Sequence, residues 1–291
     1  MQLDFLLKLQ EISTPFLNSF FSNITNLGHE LFYTIIITII FWCCSKSHGI
    51  RLAIAVTLNL IINTDVKEFF KADRPFIMDD RIKPLYIESA PGYSLPSGHT
   101  QVASSFWFYT SMMIRKKWYS ILAIVATLIV GFSRLYLRLH WPIDVLVGLV
   151  LGVVIVWILE MIFRKLKQPI YSLWLTILYA FVVPIVLVGL SGFEEGAVKV
   201  GTLLSGLLFG YFIESKYIGF KEDATIVKQV VKVVLGIAGV IIIRSLIKTI
   251  LPETLVVDGI RYFVMGMWIT FIAPWIFVKF KLAEKNIDSM F

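Results

Sequence analysis

Residues 118–163, WYSILAIVATLIVGFSRLYLRLHWPIDVLVGLVLGVVIVWILEMIF, hold two long apolar runs with a polar kernel between them. The runs cover 118–137 and 142–163, each close to the ~20 mostly apolar residues a helix needs to cross a bilayer. A backbone in lipid must satisfy its own polar groups, so runs of this length read as helices. The kernel, with Ser133, Arg134, His140 and Asp144, is then a turn near one membrane face.

The rest of the chain repeats this pattern. Of 291 residues, 57% are hydrophobic and only 16% charged, against about 45–50% apolar in soluble domains. Hydropathy places further spans at 28–44, 51–70, 99–114, 169–190, 197–214, 229–250 and 260–279, making nine. Residues 3–21 space Leu3, Leu6, Leu7, Ile12, Phe16 and Phe20 helically but carry Lys8, Gln10 and Glu11, which predicts one helix lying along the interface. Neither a basic leader with a cleavage site nor a cysteine framework is legible, Cys43 and Cys44 being the only cysteines.

The net charge of +7 belongs mostly to short loops, so it points to orientation and anionic headgroups, not nucleic acid. Lys46 and Arg51, Arg115 to Lys117, Arg164 to Lys167, Lys216 to Lys232 and Lys279 to Lys285 share one side if every span crosses. By the positive-inside rule that side is cytoplasmic. The 71–96 loop, with Pro75, Pro84, Pro91 and Pro96, falls outside, and a loop of that length is usually either functional or disordered.

Three segments on that outer side carry chemistry. Lys67 and Arg74 are seven apart near the end of the second span and can share a helical face if the helix persists that far. Arg74 precedes Pro75, however, which pushes it out of helical geometry, so the helix is expected to end there. A guanidinium fork and an ammonium suit a phosphate. Pro96-Ser97-Gly98-His99 opens the third span as a turn, an N-cap and a small residue before an imidazole. Such helix ends attract phosphate, and His99 stands ready to protonate an oxygen of a bound group. His140 and Asp144 are four apart, so the carboxylate can accept from Nδ1–H and leave Nε2 free as a nucleophile. Each segment alone also reads as ordinary structure: snorkelling cations, a helix cap, a salt-bridged hairpin.

Together they resemble the three-part signature of the type 2 phosphatidic acid phosphatase (PAP2) superfamily, K-x6-R-P, P-S-G-H and S-R-x5-H-x3-D, matched here at every fixed position. The resemblance covers about residues 28–163. It implies an all-α polytopic membrane bundle hydrolysing a lipid phosphate through a phosphohistidine. His140 would be the nucleophile, Asp144 its orienting acid and His99 the proton donor to the leaving oxygen. Lys67, Arg74, Ser97, Gly98 and Arg134 would hold the phosphate. The family needs neither divalent metal nor cofactor, and no metal-ligand spacing is legible here. Expected partners are a lipid phosphate and the bilayer; nothing fixes the oligomeric state.

Three regions follow: an interfacial helix over 1–27, the catalytic core over 28–168, and additional spans over 169–291 in which no chemistry is legible. Arg244, Lys248 and Arg261 snorkel or touch a headgroup, and Glu160 pairs with Arg164. The same motifs admit a phosphotransferase, a hydrolase of soluble phosphates, or a transporter or receptor on a phosphatase scaffold. Abundant Ile and Lys point by association to a bacterial cytoplasmic membrane.

Overall fold

The computed structural model describes residues 1–165 and 173–285, excepting the side chains of Glu30 and Leu31. Among them the only β feature is an isolated bridge between Phe220 and Lys285; the rest of the regular structure is helical. The chain divides into two compact units, Met1–Tyr33 with Ile62–Lys165, and Thr34–Ile61 with the chain after Lys165. Two helices, α3 (Glu30–Cys43) and α4 (Lys46–Phe70), contribute residues to both. This division is interleaved, with residues 34–61 in the second unit, whereas the sequence reading drew three consecutive regions, 1–27, 28–168 and 169–291.

The first unit opens with two helices where one was expected, α1 (Gln2–Glu11) and α2 (Pro15–Thr25). Thr14 and Pro15 cause the break: Thr14 accepts from Leu17 N–H as an N-cap, and Pro15 takes the first helical position. Leu6 and Leu9 of α1 bury against Ile82, so this segment packs on the 71–96 loop. The loop is ordered and contains α5 (Pro75–Met78) and a 3-10 turn at Ile87–Ser89. It doubles back through Ser94 N–H to Ala72 O and Leu85 N–H to Leu137 O.

Three helices complete the unit, α6 (Gly98–Ile114), α7 (Lys117–Tyr136) and α8 (Pro142–Lys165). Small residues let α8 approach α6 closely. A Cβ at Gly148 would lie 2.7 Å from Ser97 O, and one at Gly152 2.5 Å from Gln101 O. This approach brings the first turn of α8, with Asp144, beside Ser97 at the start of α6. Glu160 and Arg164 pair at 4.0 Å, as their spacing predicts.

The second unit gathers Thr34–Ile61 with α9 (Leu173–Ile177), α10 (Val183–Leu190), α11 (Glu195–Ile213), α12 (Ile226–Ile250), α13 (Leu255–Met267) and α14 (Ala273–Lys279). Short π turns at Leu178–Val182 and Trp268–Ile272 join α9 to α10 and α13 to α14, each just before a proline. A Cβ at Gly266 of α13 would lie 2.6 Å from Leu203 O of α11, so this pair also depends on small residues. Buried Glu214 bonds Lys46 Nζ and Phe220 N–H, and buried Lys232 donates to Trp42 O. Arg261 is ion-paired with Asp258, which also binds Lys199, and Lys248 pairs with Glu253.

The nine spans expected from hydropathy become seven among the described residues, or eight if a bent pair counts as one. The first expected span is one limb of that pair, Pro15–Gly28 with Phe32–Cys43, bent by 42°. The third, α6, is only 17 residues long, and its inward face carries buried Thr100, Gln101, Ser104 and Ser105. Residues 169–172 of the sixth lie outside the described residues.

Candidate active site

His140 lies in the turn between α7 and α8, a turn made by Leu137 N–H to Ser133 O, Leu139 N–H to Arg134 O and a left-handed Arg138 at φ 58°. Two residues later Pro142 starts α8, so Asp144 falls in its first turn, where a carboxylate suits the helix dipole. Its Oδ2 accepts from Trp141 N–H (2.8 Å) and Ser94 Oγ (2.5 Å), and stands 3.4 Å from His140 Nδ1. Both side chains are 1% exposed.

On the other side of the ring, Arg74 Nη1 lies 3.2 Å from His140 Nε2. A guanidinium only donates, so Nε2 is the acceptor and the proton of the neutral ring sits on Nδ1, toward Asp144. Burial first, then the charges of Arg74, Arg134 and Lys67, hold the His140 pKa well below its ordinary 6.5. The ring is kept neutral with its Nε2 lone pair turned to the cations.

Arg74 leaves helical geometry before Pro75, as the sequence predicts, and the helix stops four residues earlier. Helix α4 ends at Phe70, where Lys71 turns left-handed (φ 46°), and Arg74 becomes the residue before α5. Its φ of −75° and ψ of 155° are those a following proline imposes. Lys67 stays on α4, half-buried, its charge acting on His99, His140 and Asp144. The two cations meet because the loop folds back. All five guanidinium N–H groups of Arg74 are engaged, with the carbonyls of Gly92, Pro91, Tyr93 and Leu139 and with His140.

The Pro96–His99 segment follows a cis Leu95–Pro96 bond. Ser97 occupies the N-cap position of α6, but its Oγ bonds Thr100 Oγ1 (2.9 Å) and no helix N–H, a correction to the expected cap. Its backbone N–H donates to Asp144 O (3.0 Å), joining the second and third segments. A Cβ at Gly98 would lie 3.2 Å from Asn63 Oδ1, while Asn63 Nδ2 donates to Gln101 Oε1 and Pro96 O. His99 Nε2 is buried and makes no hydrogen bond among the described residues.

Arg134 is fully buried near the end of α7. Its Nη1 donates to Thr25 Oγ1 (2.8 Å) and Ser89 Oγ (3.0 Å), its Nη2 to Ser89 O (3.0 Å), and its Nε makes no hydrogen bond. Its charge acts on both His99 and His140. All eight predicted residues thus lie in one unit; contacts join Arg74, His140, Asp144 and Ser97, and the charges of Lys67 and Arg134 act on His99 and His140. Sequence reasoning missed Ser94, Ser89, Thr25 and Asn63, isolated polar residues whose spacing carries no periodic signal.

Comparison with known proteins places the chain in a family. Residues 48–168 match the PAP2 superfamily model, and residues 198–285 match the model of the PAP2 superfamily phosphatase transmembrane extension. Undecaprenyl-diphosphatase of Sulfolobus acidocaldarius is 34% identical over 37% of this chain and 52% of its own length. A putative undecaprenyl-diphosphatase of Escherichia coli is 30% identical over 45% and 66%. Phosphatidylglycerophosphatase B of Bacillus subtilis is 29% identical over 54% and 80%. The chain thus spans between about half and four fifths of these relatives. The crystal structure of a transmembrane PAP2 type phosphatidylglycerolphosphate phosphatase from Bacillus subtilis superposes with a TM-score of 0.50 at 26% identity, covering 57% of this chain and 86% of that one. With one model lying over the converging motifs and a second over the helices that follow them, this multi-pass, all-helical membrane protein belongs to the PAP2 superfamily.

Proposed function

We propose that this protein is a lipid-phosphate phosphatase that works without a metal ion, through a phosphohistidine on His140, with its site on the non-cytoplasmic face. The observation that carries the reading is the buried line Asp144–His140–Arg74. The carboxylate faces Nδ1 at 3.4 Å and the guanidinium faces Nε2 at 3.2 Å, so a nucleophilic lone pair points at an anion-binding group. Nε2 attacks phosphorus while the bond to the leaving oxygen breaks and His99 supplies that oxygen's proton. Water then attacks phosphorus, passing its proton to His99, and the P–N bond breaks to free phosphate. Splitting the displacement gives two easier steps, and Lys67, Arg74 and Arg134 spread the charge on the transferring group. Ser97 and Gly98 bring the start of α6 to the same phosphate.

The sided reading rests on the basic turns, such as Arg115–Lys117, which lie at the opposite ends of α6 and α7 from His99 and Arg134. The substrate class follows from the relatives' names, which pair lipid diphosphates with a glycerophospholipid phosphate. Phosphatidate, phosphatidylglycerol phosphate, undecaprenyl pyrophosphate and sphingoid phosphates all present a terminal phosphoryl group at the interface. Phosphate release from each, by purified wild type and His140→Gln in detergent, tests the proposal. Wild type should turn over at least one, and the variant none while eluting as the same monodisperse species. Release by the variant at the wild-type rate rules out this nucleophile.

A further inference from the structure

The N-terminal segment precedes the family match, which begins at residue 48, yet it makes polar contacts around the candidate site. Gln2 Oε1 accepts from Ile143 N–H at the start of α8. Gln10 bonds the 71–96 loop in both directions, donating to Arg81 O and accepting from Lys83 N–H. Asn18 accepts from Tyr136 at the end of α7, and Asn26 from Tyr86. A Cβ at Gly28 would lie 3.0 Å from the His99 Cβ. The deepest of these contacts is Thr25, 0% exposed, whose Oγ1 accepts from Arg134 Nη1 at 2.8 Å.

Arg74 and Arg134 are held differently. Every N–H of Arg74 is engaged, whereas Arg134 is fixed from one side by Thr25 and Ser89 and keeps a buried Nε–H with no acceptor. A buried donor without a partner is costly, and a phosphoryl oxygen is the kind of acceptor that satisfies it. The orientation of that N–H depends on where Nη1 is tied, because the guanidinium is planar and rigid. We propose that Thr25 is a positioning residue for Arg134, and that the N-terminal segment is one wall of the phosphate pocket. This rests on the reading of the site as a phosphate pocket. Thr25 touches no reacting atom; it sets the plane of the guanidinium that does.

Three substitutions separate the hydroxyl from packing. Thr25→Val keeps the shape and removes the acceptor, Thr25→Ser keeps the acceptor and removes a methyl, and Ser89→Ala removes a second tie. The probe is orthovanadate, measured as its inhibition constant beside kcat and KM for the best substrate of the panel. Thr25→Val should weaken vanadate roughly tenfold, the scale of one hydrogen bond to a charged group. Thr25→Ser should stay within about twofold of wild type, and Ser89→Ala should fall in the same direction as Thr25→Val. A purely structural Thr25 predicts instead thermal stability lost in both Thr25 variants and vanadate affinity of the folded fraction unchanged. Wild-type vanadate affinity in Thr25→Val overturns the inference. If Thr25→Val does not fold, wild-type vanadate affinity in Ser89→Ala overturns it by the same readout. Full activity of His140→Gln would sink the underlying phosphatase reading instead.

Discussion

Ser94 Oγ donates to the carboxylate oxygen of Asp144 that stands 3.4 Å from His140 Nδ1, so one hydroxyl in the long loop holds the oxygen that the imidazole faces. The loop thus reaches the histidine through the acid. Ser94→Ala would leave Oδ2 with Trp141 N–H as its donor and loosen the carboxylate beside the ring. We expect kcat to fall roughly tenfold with KM nearly unchanged, the loss of about one charge-assisted hydrogen bond. Steady-state kinetics on the best lipid substrate checks this. A larger loss is expected for Asp144→Asn, which supplies the wrong partner for Nδ1–H.

Acidification should cost stability through His140. Its pKa is depressed in the folded protein, chiefly by burial, so between the folded value and about 6.5 the unfolded chain binds the extra proton. The stabilising contribution is complete above about pH 6.5 and is lost as pH falls toward the folded pKa, at most about 1.4 kcal/mol per pH unit. Thermal midpoints in detergent at pH 7.5 and 5.5 should differ more for wild type than for His140→Gln. Equal differences would show that other groups, such as His99, carry the acid sensitivity.

The close approach of α8 to α6 predicts a steric effect on the same site. Gly148→Val puts methyl groups against Ser97 O, which a Cβ alone would approach to 2.7 Å. Overpacking of this kind costs roughly 1–3 kcal/mol. It should also reduce activity, because Ser97 N–H donates to Asp144 O across that contact. Thermal melting and phosphate release measured on one preparation check both effects.

Chelation should leave turnover intact. Among the described residues no three His, Cys, Asp or Glu side chains gather as a metal site, and Lys67, Arg74 and Arg134 carry the positive charge. Activity after EDTA treatment is expected within about twofold of untreated enzyme, the tolerance being an arbitrary assay margin on the metal-free reading. Loss of activity restored by Mg²⁺ would count against the proposal.

The readable part of the site was the part set by local spacing. His140 and Asp144 face each other because Asp144 lies in the first turn of α8 and His140 only two residues before that helix begins. The helices containing Arg134 and Asp144 were legible because lipid-facing runs need long apolar stretches. What escaped is set by tertiary routes. Arg74 meets the histidine through a loop that reverses after Phe70, a path that helical counting cannot give. Ser94 and Thr25 are single hydroxyls whose partners lie 50 and 109 positions away. Helix α6 was read as an ordinary span, although its buried Thr100, Gln101 and Ser104 make it the polar spine of the first unit.

Saturation of Arg74 has a consequence for turnover. Four of its bonds end on main-chain oxygens of the loop and the α7–α8 turn; only the fifth ends on a reactive atom. On the proposed reading an incoming phosphoryl group would meet a guanidinium with nothing spare, and displacing its contact with His140, at 3.2 Å the longest of the five, would free the imidazole. Arrival of the anion would itself uncap the ring, leaving it shielded from uncharged electrophiles between cycles.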